Sequence, residues 1–157
     1  MWNRIDRLFV ATLLAGSTAL AWSAEPMKLP PLKKQPTAQK VIDEHIDALN
    51  KCDWNRLMAQ YPNDVEIHLP DGVIVKGREK VGELFAGFCK SRPDGLKGLK
   101  FTGVSSFPVG NTLNVMWIAE ADFLTEPYKG SDAYVTRDGL MAAQVSTFDG
   151  AKLKFKK

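Results

Sequence analysis

The chain has 157 residues, of which 45% are apolar and 25% charged, enough for one globular domain of ordinary size and composition. Its formal charge of +3 falls by one when residues 1–21, which carry Arg4, Asp6 and Arg7, are set aside, and so small an excess excludes an electrostatic case for nucleic acid. Two cysteines and two histidines, far apart in sequence, exclude a zinc-type cluster, and there is no phosphate-binding glycine loop or serine-nucleophile motif, so neither metal nor cofactor is expected.

The N-terminus is different in kind from the rest. Arg4 and Arg7 precede an uncharged, mostly apolar run over residues 8–20, and Ala19-Leu20-Ala21 and Ala21-Trp22-Ser23 both fit the small-x-small rule for cleavage. The run is shorter than the ~20 residues of a membrane span and is interrupted by Gly16, Ser17 and Thr18. Residues 1–21 are therefore expected to be a signal peptide, the protein to be exported to a periplasmic or secreted location, and no stable membrane span to remain after cleavage. Residues 22–36 hold Pro26, Pro30, Pro31 and Pro36 among Lys28, Lys33 and Lys34, the pattern of a semi-rigid proline-rich tether. The domain proper is placed at 37–157.

Thr37 is positioned to cap a helix whose apolar stripe is Val41, Ile42, His45, Ile46, Leu49 and Cys52. Asp53 caps a second short helix over 54–61, broken by Pro62-Asn63-Asp64. Val65, Ile67 and Leu69 alternate with Glu66 and His68 as a half-buried strand. Pro70-Asp71-Gly72 makes a turn into a short strand over 73–75. A third helix after Gly77 carries Val81, Leu84, Phe85 and Phe88 on one face. A meander follows, with strands over 99–107, 112–124 and 134–148 and a final short strand carrying Leu153 and Phe155. In the second of these, Leu113, Val115, Trp117, Ala119, Ala121 and Phe123 share a face. Helices followed by an antiparallel sheet is an α+β arrangement. An even cysteine count in an exported chain permits a Cys52–Cys89 disulfide; two buried thiols on separate helices is the competing state. Lys152, Lys154, Lys156 and Lys157 form a basic tail that protects a strand edge.

Residues 41–53, the strand Asp64-Val65-Glu66-Ile67-His68, then Val75-Lys76-Gly77 before a helix with Phe85, and the ending Val145-Ser146-Thr147-Phe148-Asp149-Gly150 with Lys152-Leu153 resemble, in order and spacing, the nuclear transport factor 2-like superfamily, which includes SnoaL-like cyclases and ketosteroid isomerase. The resemblance covers about residues 38–155. It implies a cone: a strongly curved antiparallel sheet wrapped around about three N-terminal helices, with a pocket inside. It does not imply one activity, since members include isomerases, cyclases, dehydratases, ligand binders and subunits without chemistry.

Ketosteroid isomerase needs a carboxylate base and an oxyanion hole of a tyrosine and a protonated aspartic acid. The resemblance puts His45 at the tyrosine, Leu69 at the base and Gln144 at the oxyanion acid, and leucine cannot remove a proton. The remaining candidates for chemistry are His45, His68 and Asp71. Strand alternation turns His68 outward beside Glu66, and the Pro-Asp-Gly turn is sufficient reason for Asp71. The expected pocket is lined by Leu69, Phe85, Trp117, Phe123 and Phe148, with His45 and Gln144 as its polar points, and suits a small apolar ligand. Three readings follow: a non-catalytic binder or accessory domain; an enzyme of isomerase, cyclase or dehydratase type using His45; and a protein-interaction module. A homodimer is expected through the outer sheet face, where Met116, Ile118, Met141, Ala143 and Val145 form an apolar patch.

Overall fold

The computed structural model describes residues 27–157; the expected signal peptide at 1–21 and the start of the proline-rich segment lie outside the described residues. Helix α1, Ala38–Lys51, begins where the Thr37 hydroxyl accepts the Lys40 amide and ends where Cys52 takes a left-handed conformation. Helix α2, Trp54–Met58, is capped by the Asp53 carboxylate accepting the Arg56 amide. Strands β1, Glu66–His68, and β2, Ile74–Lys76, form a short hairpin. Helix α3, Arg78–Phe88, starts after Gly77, whose φ of 87° suits glycine. Strands β3, Lys100–Val109, β4, Thr112–Glu120, β5, Tyr128–Arg137, and β6, Leu140–Ser146, complete the chain's sheet.

The six strands are ordered β2-β1-β6-β5-β4-β3. Among the described residues only the β1–β6 contact is parallel; the other neighbouring pairs are antiparallel. The sheet is curved and unclosed, and with the three helices it makes the expected α+β cone. The core between the layers holds Val41, Ile42 and Ala48 of α1, Leu57 and Met58 of α2, Val81 of α3 and the inner residues of β4, Leu113, Val115, Trp117 and Ala119. Asn50 ties α1 to the edge strand β3. Its Nδ2 donates to the Phe101 carbonyl at 2.8 Å and its Oδ1 accepts the Phe101 amide at 2.7 Å, so one side chain acts as the missing strand partner at that point.

The sheet departs from the sequence reading at four places. Residues 134–148 are not one strand. Asp138 and Gly139, at φ 54° and 77°, make a two-residue turn between Arg137 and Leu140, which is the hairpin that an Asp-Gly pair favours. Within that hairpin Val135 pairs with Ala143 but Thr136 with Met141, leaving Ala142 as an extra residue. The bulge reverses the alternation, so Met141, expected on the outer face, is fully buried and donates its amide to the Gln60 carbonyl at 2.9 Å. Strand β4 ends at Glu120 rather than running to 124. The expected last strand, carrying Leu153 and Phe155, is reduced to a single bridge between Leu124 and Phe155 that follows a 3-10 turn, Gly150–Lys152.

Within the proline-rich segment, residues 29–35 lie along the domain. The Lys33 amide donates to the Ala59 carbonyl and the Gln35 amide to the Gly139 carbonyl, each at 2.8 Å. The buried Arg78 guanidinium donates to the Pro30 and Met58 carbonyls. Cys52 and Cys89 are bridged, with Cα atoms 5.5 Å apart, so the disulfide ties the C-terminal ends of α1 and α3.

Candidate functional site

Inside the cone lies a cavity of about 210 Å³. Helix α1 contributes His45, Ile46 and Leu49, and α3 contributes Leu84, Phe85 and Phe88. The sheet contributes Ile67, Phe101 and Trp117, and Leu69 and Phe148 complete the apolar wall from the segments after β1 and β6. One end is polar: Asp132 and Tyr134 of β5 and Gln144 and Ser146 of β6 meet there. The register makes this inevitable, because Asp132 pairs with Ser146 and Tyr134 with Gln144, and residues facing one another across a ladder share a face of the sheet.

Of the residues expected at the pocket, His45, Leu69, Phe85, Trp117, Gln144 and Phe148 all line the cavity. Phe123 does not. Because β4 has already ended, its ring turns out to pack against Phe155, 6.1 Å between centroids, beneath the Arg92 guanidinium. His68 lies on the outer side, its Nε2 3.2 Å from Glu66 Oε2. Asp71 is exposed and accepts the Val73 amide at 3.1 Å, which makes it a turn residue. Leu69 and Phe148 also border an outer depression with Pro70, Asp71, Asp149, Gly150 and Lys152, so these two side chains stand between the inner cavity and that depression.

The polar end is a network around one carboxylate. Asp132 Oδ2 accepts from Gln144 Nε2 at 2.9 Å and from the Tyr134 hydroxyl at 3.2 Å, and Oδ1 accepts the Thr147 amide at 3.0 Å. Burial, the largest influence, pushes the Asp132 carboxyl above its ordinary value, and the donors around it pull the other way. The same bonds fix the Gln144 amide with its nitrogen toward Asp132 and its oxygen free. Gln144 Oε1 and the indole Nε1 of Trp117 are both buried and have no protein hydrogen-bond partner of acceptable geometry among the described residues. The indole N–H faces the Asp132 carboxylate closely enough to favour its charge without completing a bond. Gly130 lets Trp117 sit there: a Cβ at that position would come within 2.5 Å of the indole ring.

His45 is fully enclosed. Its Nδ1 is 2.9 Å from the Tyr61 hydroxyl, and its ring is ringed by Tyr61, Phe85 and Tyr134. Burial lowers its pKa to about 4, so it is a neutral imidazole at neutral pH. The Tyr61 and Tyr134 hydroxyls are pushed well above their ordinary range by burial.

Asp132, Tyr134 and Ser146 were not among the expected site residues. Asp132 lies two residues before Tyr134 on a strand that begins at Tyr128. A strand begun at Tyr134 leaves Gly130-Ser131-Asp132 outside the sheet. The signal was available: the Asp138-Gly139 turn places 128–137 and 140–146 as partners, and alternation back from Tyr134 then turns Asp132 inward.

A sequence model of the SnoaL-like domain matches residues 42–144. Similar solved structures include the protein RV0760c of Mycobacterium tuberculosis, 21% identical, covering 75% of this chain and 98% of that one with a TM-score of 0.62. An NTF2-like protein of unknown function from Cytophaga hutchinsonii is 18% identical over 76% of this chain and 96% of its own, with a TM-score of 0.59. A computationally designed 17-OHP binder is 20% identical over 76% and 96%, with a TM-score of 0.61. At these identities the likeness is one of fold. No curated protein matches the sequence.

Proposed function

The chain belongs to the SnoaL-like domain family of the nuclear transport factor 2-like superfamily, and from that premise we propose that it is an exported, non-catalytic binder of a small, mainly apolar molecule. The observation that carries this reading is the cavity itself, an apolar, aromatic-lined space of about 210 Å³ with Gln144 Oε1 and Trp117 Nε1 left unpaired at one end. Buried polar groups are normally satisfied, and an apolar pocket with a few convergent polar atoms is what a small-molecule site requires. The titratable groups are occupied with one another: His45 with Tyr61, and Asp132 with Tyr134, Gln144 and Thr147. The existence of a similar fold in a designed 17-OHP binder supports a ligand-holding role by analogy. Export is supported by the signal-like N-terminus and by the Cys52–Cys89 bridge, which suits an oxidising compartment. Native mass spectrometry of protein isolated from its own host tests the reading. A mass that drops by one small molecule on denaturation is expected; identical native and denatured masses, with no small molecule taken up on titration, would contradict it.

One observation favours a second reading, an enzyme. Asp132 is a buried carboxyl with a raised pKa at the end of an apolar pocket, a combination that acid–base catalysis uses. Incubation with the ligand separates the two: a binder returns it unchanged, whereas an enzyme returns a product whose formation Asp132→Asn stops. A pure interaction module would have a filled core, and the cavity weighs against it.

The outer sheet face supports self-association. Register places Phe107, Asn114, Ala133, Val145, His68 and Ile74 in one row across all six strands. Phe107, Val145 and Ile74 are exposed, as is Met116 in the adjoining row. With Met141 removed from it, the proposed homodimer face comprises Met116, Ile118, Ala143 and Val145, extended by Phe107.

A further inference from the structure

We propose that the cavity takes a single-ring molecule carrying one hydroxyl group, of the size of a substituted phenol, and rejects four-ring molecules. This rests on the ligand-pocket reading above and deepens it.

Size sets the first bound. A dry cavity of about 150 Å³ holds one benzene ring. The volume here, about 210 Å³, holds a ring and a few further heavy atoms. Phe148 and Leu69 stand between this space and the outer depression. Phe148 is itself packed against Phe88, Phe101, Trp117 and Tyr128, so enlarging the cavity by moving this ring disrupts four aromatic contacts.

The polar end sets the functional group. It offers an acceptor without a partner, Gln144 Oε1, and a donor that faces Asp132 without completing a bond, Trp117 Nε1, on side chains that are 6% and 2% exposed. The acceptor is fixed as oxygen because Gln144 Nε2 is held by Asp132 Oδ2 at 2.9 Å. A ligand carbonyl or ether accepts from Trp117 and leaves Gln144 bare. An ammonium donates to Gln144 but has no lone pair for the indole N–H. A carboxylate brings a second acidic group beside Asp132, and two neighbouring carboxyls oppose each other's ionisation. A hydroxyl carries a donor and lone pairs on one atom, accepting from Trp117 and donating to Gln144. Sites of this kind discriminate against the analogue lacking the group, because their own polar atoms are then left unpaired.

Calorimetric titration of the full-length, disulfide-bonded chain with 4-ethylphenol, ethylbenzene, 4-ethylanisole and estradiol tests this. The expected result is binding of 4-ethylphenol about tenfold or more tighter than ethylbenzene, although ethylbenzene is the more apolar. The capped hydroxyl of 4-ethylanisole should lose that advantage, and estradiol, which has the same phenol on four rings, should not bind. In Gln144→Met the two ethyl compounds should bind equally, with ethylbenzene affinity retained as evidence that the pocket is intact; Trp117→Phe removes the donor and should act in the same direction. Ethylbenzene binding as tightly as 4-ethylphenol to the unmodified protein overturns the hydroxyl assignment while leaving the ligand pocket standing. Estradiol binding as tightly as 4-ethylphenol overturns the size assignment. Failure of every single-ring compound to bind overturns this inference, and the pocket reading falls with it only where the native protein also releases no small molecule on denaturation.

Discussion

Gln144 Nε2 donates to Asp132 Oδ2 at 2.9 Å across neighbouring strands β6 and β5. This bond orients the only amide in the cavity wall and gives a buried carboxylate one of its three donors. Removing the carboxylate leaves Gln144 Nε2, the Tyr134 hydroxyl and the Thr147 amide unpaired. Asp132→Ala is therefore expected to destabilise the fold by about 2–4 kcal/mol despite the relief of a buried charge. Urea denaturation at neutral pH measures it, and an unchanged midpoint would remove Asp132 from the network.

His45 gives stability a defined pH dependence. Its folded-state pKa is lowered from 6.5 to about 4 by burial, so between these values the unfolded chain binds a proton that the native chain does not. Stability from this group is present above pH 6.5 and is lost as pH falls toward 4, about 3 kcal/mol in all. Asp132 has the opposite sign. Its carboxyl pKa is raised, so the native chain binds the extra proton and stability from that group increases as pH falls through its window. Melting curves of the parent and His45→Phe between pH 7 and pH 4.5 separate the two: the parent should lose more stability than the variant over that range. Equal losses would show that the imidazole is not buried neutral.

The Cys52–Cys89 bridge closes a loop of sequence separation 37, worth about 4 kcal/mol in the chain-entropy account. Replacing both with alanine should lower the urea midpoint accordingly, and because α1 and α3 supply much of the cavity wall, ligand affinity should fall with it. Two free thiols in the unfolded, unreduced protein would dispose of the bridge.

Val145 is half exposed at the centre of the outer apolar row. Val145→Glu places a charge there and should convert a dimer to a folded monomer in sedimentation at micromolar concentration. A parent protein that sediments as a monomer would sink the proposed association.

Which parts of this were legible in the sequence follows from the range of the signals. The helix caps Thr37 and Asp53, and the period-2 face of Leu113, Val115, Trp117 and Ala119, depend on neighbours a few positions away, and the structure has them where the pattern puts them. Family resemblance supplied the cone and brought His45, Leu69, Phe85, Trp117, Gln144 and Phe148 to one cavity. What it could not supply was register. Asp132 reaches the site only because the Asp138-Gly139 turn folds β5 onto β6, and Met141 leaves the outer face only because Ala142 is bulged. A one-residue slip in a strand reverses every side chain beyond it, and neither bulge nor strand end is written in alternation alone. Phe123 was misplaced for the same reason, since the hydrophobic alternation continues past Glu120 while the ladder does not.

The central claim is that the cone holds a ligand, and the most direct measurement is electron density inside the cavity of crystals soaked with 4-ethylphenol. One ring is expected among Phe85, Trp117 and Phe148, with its oxygen accepting from Trp117 Nε1 and donating to Gln144 Oε1. A cavity closed by its own side chains, with Gln144 and Trp117 paired to protein groups and no ring density, would contradict it.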